Sequence, residues 1–178
     1  MSDDSPTEQI HEDIQDKAHE ARETWINWAA ATAAILAGLA AITSTLADGN
    51  LTKSSRNQIQ SNDDWGYYQA KSIKSSVLRA KMELLEAQGK PETEADRTKL
   101  AEYEHDLDQL KSQAEEREAN SESYLTRHEI LQRGVTVFHI AIAVVAIAVL
   151  TKLRSFWYLS IFAGLLGIIF LAQSFLSH

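Results

Sequence analysis

Three apolar blocks without Asp, Glu, Lys or Arg stand out along the chain, at residues 28–46, 134–150 and 156–176. Each block is close to the ~20 residues that a helix needs to cross the hydrocarbon core of a bilayer. Trp25 and Trp28 introduce the first block, and the run Phe156-Trp157-Tyr158 opens the third, as is typical of the membrane–water interface. The pattern predicts an all-α membrane protein with three transmembrane helices.

The stretch between the first two blocks, residues 50–133, is polar and repeats its apolar positions every seventh residue. Such a repeat is typical of helices that pair as coiled coils. In the first half the repeating rows are Ile59, Gly66, Ile73, Ala80 and Ala87, with Ala70, Val77 and Leu84 between them. In the second half they are Leu100, Leu107, Ala114, Ser121 and His128, with Tyr103, Leu110, Arg117, Tyr124 and Leu131.

A turn at residues 89–92 divides this stretch into two helical arms. Gly89 can adopt the left-handed conformation that ends a helix, and Pro91 cannot continue one. Thr93 followed by Asp96 resembles a capping box that starts the next helix. We therefore expect a long antiparallel helical hairpin between the first and second membrane helices.

A fold at about Lys90 also predicts which residues of the two arms face each other. Ile73 should meet Leu107, and Asp63 should meet Arg117. A polar pair on a coiled-coil seam more often sets the register than adds stability. We assign that role to Asp63 and Arg117.

Local sequence patterns predict the structure of the N-terminal segment and of the link between the first apolar block and the hairpin. Residues 1–27 have the pattern of an acidic amphipathic helix, with Ile10 and Ile14 on its apolar side. Asp48-Gly49-Asn50 is expected to end the first membrane helix, and Asn50 to cap the arm that follows.

The basic residues near the short loops predict an orientation. Lys152 and Arg154 lie in the tight turn between the second and third blocks, and Lys17 and Arg22 precede the first. Since positive residues near membrane helices favour the cytoplasmic side, we expect a cytoplasmic N-terminus and a hairpin on the outer side. The basic residues at the hairpin's own ends favour the opposite orientation, but the rule is weak for a loop of this length.

The amino-acid composition argues against several kinds of site and partner. The chain has no Cys, which excludes disulfides and thiolate metal sites. Its net charge of −8 argues against nucleic acid as a partner, because phosphate binding needs an excess of Lys and Arg. Glu102-x-x-His105 has the spacing of di-iron carboxylate bundles, but it lies off the seam, where a solvated charged face is the better interpretation. We therefore predict no enzyme activity, no catalytic or metal site and no cofactor.

Two side chains more polar than Ser or Thr, an imidazole and an amide, lie inside the predicted membrane helices. His139 lies in the second block and Gln173 in the third. Polar groups in a bilayer are costly and often functional, so both are candidates for the lining of an ion or proton path. A second interpretation of His139 is a hydrogen bond to a neighbouring helix or to interfacial water.

The run Asp64-Trp65-Gly66-Tyr67-Tyr68-Gln69-Ala70-Lys71-Ser72-Ile73-Lys74 is the most distinctive stretch of the chain. With the Gly89-Lys90-Pro91 turn, it resembles a bacterial membrane-protein family known as domain of unknown function 4337. The resemblance implies a bacterial inner-membrane location and no known activity.

The same run contains our candidate interaction surface, formed by Trp65, Tyr67, Tyr68, Gln69 and Lys71. Three aromatic residues within four positions cannot all point into a two-helix seam, and exposed Trp and Tyr are typical contact residues. Packing against the opposite arm near residues 111–115 is the alternative for this cluster.

Two classes of function follow. The first is a membrane-anchored coiled-coil protein that associates with itself, or that binds a protein partner through the hairpin. The second is a subunit of a small oligomeric channel or transporter. The first is favoured because the apolar blocks offer few polar groups for a path.

Overall fold

In the computed structural model, the backbone of residues 6–176 and the side chains of residues 24–176 are described. This part of the chain forms three helices and no strand: α1 spans Pro6–Ala87, α2 spans Glu94–Thr151 and α3 spans Arg154–Leu176. The fold is therefore all-α, as predicted. The side chains that make residues 1–27 amphipathic lie mostly outside the described residues.

The helix break predicted at Asp48-Gly49-Asn50 is wrong. α1 is one continuous helix of 82 residues that runs through this tripeptide. A glycine inside a helix costs only about 1 kcal/mol relative to alanine, so a single Gly49 does not end a long helix. The Thr52 hydroxyl, moreover, donates a hydrogen bond to the carbonyl of Asp48 across this point.

The turn predicted at residues 89–92 is present and has an ordered cap. Gly89 has a φ of +67°, its N–H donates to the carbonyl of Glu86, and the N–H of Lys90 donates to the carbonyl of Leu85. This pair of hydrogen bonds is a Schellman motif, in which glycine avoids the Cβ clash of a left-handed residue. The carbonyl of Thr93 then accepts the first hydrogen bonds of α2.

The chain divides into two compact units. Residues Met1–Ala47 with Glu129–His178 form one, here called the apolar unit, and residues Asp48–His128 form the other, the polar unit. Each of the three helices contains a segment long and apolar enough to cross a membrane. These properties indicate a multi-pass membrane protein.

Small residues bring the helices of the apolar unit into close contact. A Cβ atom at Gly167 of α3 would lie 2.6 Å from the ring of the fully buried Phe138 of α2. A Cβ atom at Gly164 would lie 2.6 Å from one methyl group of Leu36 on α1. The indole N–H of Trp157 lies 3.2 Å from the Thr32 hydroxyl. The core around these contacts is formed by Trp25, Ala29, Leu36, Ala40, Phe138, Ala141 and Val145.

Candidate interaction surface

Within the polar unit, α1 and α2 contact each other through small hydroxyl residues. Ser54 and Ser121 are both buried, and their hydroxyl oxygens lie 3.1 Å apart. Seven residues further along α1, the hydroxyl of Ser61 donates a hydrogen bond of 3.0 Å to the backbone carbonyl of Ala114. A side chain as short as serine reaches the opposite backbone only where two helices lie very close together.

Ion pairs continue the contacts between the two helices. As the residue number on α1 rises, the number of its partner on α2 falls: the pairs are Asp64–Arg117, Lys71–Asp106, Arg79–Glu104 and Lys81–Asp96. The carboxylate of Asp96, predicted to be part of a capping box, accepts hydrogen bonds from Lys81. At the turn, Glu92 accepts a hydrogen bond from Arg97 and raises the pKa of that guanidinium.

Arg117 pairs with Asp64, and not with Asp63 as predicted. The Nε atom of Arg117 lies 2.8 Å from Oδ2 of Asp64, whereas Asp63 is exposed. That oxygen of Asp64 is buried and has no hydrogen bond of good geometry, so the contact is an ion pair. Asp64, and not Asp63, lies on the face of α1 that meets α2.

The two helices differ in how well their apolar rows predict burial. On α2, all ten residues of the predicted rows are buried or half-buried, from Leu100 to Leu131. On α1 the predicted rows are exposed: Ile59 is 61% exposed, Ile73 and Val77 are each 65% exposed and Leu84 is 60% exposed. The prediction of the α1 seam is therefore wrong.

Another seven-residue row of α1 occupies the contact with α2. It consists of Ser54, Ser61, Tyr68, Ser75 and Met82, all buried or half-buried. An apolar pattern alone does not find this row, because three of its members are serines. Its signal in the sequence is serine at seven-residue spacing, matched by Ala114 and Ser121 on the other helix.

The aromatic run divides between contact and exposure. The rings of Trp65 and Tyr68 meet edge to face, with centroids 5.4 Å apart, and both residues are half-buried. Lys71 forms an ion pair with Asp106. Tyr67 is 66% exposed and Gln69 is also exposed. Of the five candidate residues, Tyr67 and Gln69 therefore present the most accessible surface.

The remaining candidates lie on the surface of the chain. His139 and Gln173 are both exposed, so neither lines an interior within a single chain. Glu102 and His105 are exposed, and His105 lies 3.2 Å from the side-chain nitrogen of Gln109. Among the described side chains, no group of three or more His, Cys, Asp or Glu residues is placed to hold a metal ion.

Comparison with known proteins gives one match. The family described as "Domain of unknown function (DUF4337)" matches residues 25–177, which include all three apolar blocks and the whole polar unit. No curated protein and no solved structure matches the chain. The description of the matching family states no activity.

Proposed function

Because this chain belongs to the DUF4337 family, whose description names no activity, we propose a function from its own architecture. We propose that it is a membrane-anchored coiled-coil protein whose polar unit mediates protein–protein contacts, with self-association as the first of them. The observation that carries this proposal is the division of the chain into an apolar unit of membrane-crossing composition and a polar unit built from helix-to-helix contacts.

Within this proposal the polar unit is an antiparallel helical hairpin. The reversed order of the ion-pair partners on α1 and α2 supports it, as do the two serine contacts at Ser54 and Ser61. The ordered cap at Gly89 supplies the change of direction between the helices. A hairpin of this kind displays a long surface, which suits a contact module better than a catalytic pocket.

The apolar unit would hold the hairpin at the bacterial inner membrane. Large aliphatic and aromatic side chains of this unit are exposed, among them Ile35, Leu150 and Phe162. Such exposure is costly in water and favourable in lipid, which supports membrane insertion. The basic residues Lys152 and Arg154 favour a cytoplasmic N-terminus and a hairpin on the outer side.

A channel or transporter subunit has less support. The buried polar side chains of the apolar unit hydrogen-bond to carbonyls of their own helices, as Thr43 does to Leu39 and Ser160 does to Trp157. These hydroxyl groups therefore already have partners within their own helices. His139 and Gln173 would face a path only if several copies surrounded it.

Two measurements on the full-length protein test the proposal. Alkaline carbonate extraction of membranes should leave the protein in the membrane fraction, and light scattering corrected for detergent should give a defined multiple of the 19.9 kDa chain mass. Release by carbonate would overturn membrane anchoring, and a monomeric mass would overturn self-association.

The absence of Cys makes the orientation equally testable. A single Ser112→Cys variant places a thiol at an exposed position of the polar unit. A membrane-impermeant maleimide should label it in intact cells. Labelling only after the cells are lysed would reverse the proposed orientation.

A further inference from the structure

α1 carries a row of exposed apolar residues in the polar unit that its contacts with α2 leave uncovered. We call it the α1 stripe: Gly66, Ala70, Ile73, Val77, Ala80, Leu84 and Ala87, all exposed. The stripe contains no charged residue, and it ends toward the N-terminus at Asp63. Contiguous apolar rows of this length are rare on proteins that act as monomers.

The stripe lies on the opposite side of α1 from the serine row. Gly66 follows Ser61 by five residues, which turns a helix by about 140° at 3.6 residues per turn. The spacing within the stripe alternates between four and three residues, which is the spacing of a coiled-coil seam. α1 therefore has two seams, of which α2 covers one.

We propose that a second copy of this chain covers the α1 stripe, with the two α1 helices parallel. This inference rests on the proposed self-association and specifies its surface. Copies inserted in one membrane with one orientation point their α1 helices the same way. Around a two-fold axis along the membrane normal, each residue of the stripe then faces its own counterpart.

The stripe is suited to this partner in shape and area. Gly66, Ala70 and Ala80 let two backbones approach, while Ile73, Val77 and Leu84 supply apolar surface at 60–65% exposure. Two facing stripes offer an area on the order of the ~1,000 Å² that a specific interface needs.

The polar residues beside the stripe are compatible with the parallel arrangement. Gln69 and Ser76 flank it on one side, and Lys74 and Lys81 flank it on the other. In a parallel pair, the position directly before Ala70 or Val77 faces the position five residues further on in the partner. Gln69 would then face Lys74 of the second copy and Ser76 would face Lys81, so no like charges meet.

Cysteine crosslinking in native membranes tests the contact. An Ile73→Cys variant should form disulfide-linked dimers on mild oxidation, because its thiol faces its own counterpart. Ser112→Cys, on the exposed face of α2, is the matched control and should remain monomeric on a non-reducing gel. An adduct of the Ile73→Cys variant with any mass other than twice the chain would overturn the choice of partner.

Charge insertion tests whether the stripe drives assembly. Ile73→Glu with Ala80→Glu adds two charges seven residues apart, and should halve a dimeric mass in detergent while helical content by circular dichroism is retained. Ser112→Glu with Ala119→Glu adds the same charges at the same spacing on exposed α2 positions, and should leave the mass unchanged.

The outcomes separate the two proposals. A wild-type oligomer that keeps its mass in the charge-insertion variant of the stripe, with no disulfide-linked dimer from Ile73→Cys, would overturn the stripe as the interface and leave self-association intact. A monomeric wild-type protein would overturn both. Loss of the oligomer in the stripe variant alone, together with a disulfide-linked dimer from Ile73→Cys, would establish the parallel contact.

Discussion

The hydroxyl of Ser61 on α1 donates a hydrogen bond to the backbone carbonyl of Ala114 on α2, and both residues are buried. This relationship measures how closely the two helices approach. A side chain larger than serine or alanine at either position would push them apart, since close-packed interiors tolerate little added volume.

Replacing Ser61 by Leu should therefore destabilise the polar unit by about 1–3 kcal/mol, which is typical of overpacking. Ser61→Ala removes only the hydrogen bond and should cost about 1 kcal/mol. Both values are measured by urea unfolding of the detergent-solubilised protein, followed by circular dichroism. Ser112→Leu, at an exposed position, is the control, and an equal loss in that variant would contradict the close approach at Ser61.

The neighbouring aspartates test which residue pairs with Arg117. Asp64→Asn removes the charge that contacts the guanidinium and should lower the free energy of unfolding by about 1–3 kcal/mol, because a half-buried arginine loses its partner. Asp63→Asn alters an exposed carboxylate and should change it by less than about 0.5 kcal/mol. The reverse order of the two effects would restore Asp63 as the seam residue.

A disulfide should link the two helices of the proposed hairpin. In a Ser54→Cys, Ser121→Cys double variant, the new sulfur atoms replace hydroxyl oxygens that lie 3.1 Å apart. Oxidation should therefore form a bond within one chain, detected as a faster-migrating band and by peptide mass mapping. Ser54→Cys with Ser112→Cys is the control pair. A link that forms only in the control would refute the register of α1 against α2.

Two glycines of α3 should differ in their tolerance of a methyl group. In Gly167→Ala the new Cβ meets three ring atoms of the fully buried Phe138 within 2.9 Å, so the ring or the helix has to move. In Gly164→Ala it meets the end of the Leu36 side chain, which can rotate. We expect a loss of about 1–3 kcal/mol for the first and less than about 1 kcal/mol for the second. Denaturation in mixed micelles measures both, and equal effects would contradict the tight Phe138 contact.

The seven-residue apolar repeat predicts burial correctly on α2 but not on α1, for a physical reason. On α2 the apolar rows and the helix contact coincide, so the seven-residue repeat from Leu100 to Leu131 identifies the less exposed positions. On α1 the repeat identifies the row of Ile73 and Val77, which is exposed, because the contact with α2 is made by serine. Hydrophobic periodicity reports where apolar residues lie, and it does not say which of two faces meets a given neighbour.

The sequence also did not predict which residues of the candidate interaction surface are exposed. Aromatic composition alone identified the run from Trp65 to Tyr68, but not which rings would be covered. The structure leaves Tyr67 exposed and half-buries Trp65 and Tyr68 against each other. One residue turns a helix by about 100°, so a shift of one residue in register moves a side chain from the centre of the contact to its edge or to the solvent.

The sequence by itself determined the helical class, the three apolar segments and the turn at Gly89, because each depends on local properties: mean hydropathy, the missing Cβ of glycine and the missing N–H of proline. Only the tertiary structure decided that α1 continues through Gly49, that Asp64 and not Asp63 meets Arg117, and that serine fills the α1 seam. The last two of these outcomes depend on how closely two helices pack. That distance is set by the sizes of residues on both helices together, which neither helix specifies alone.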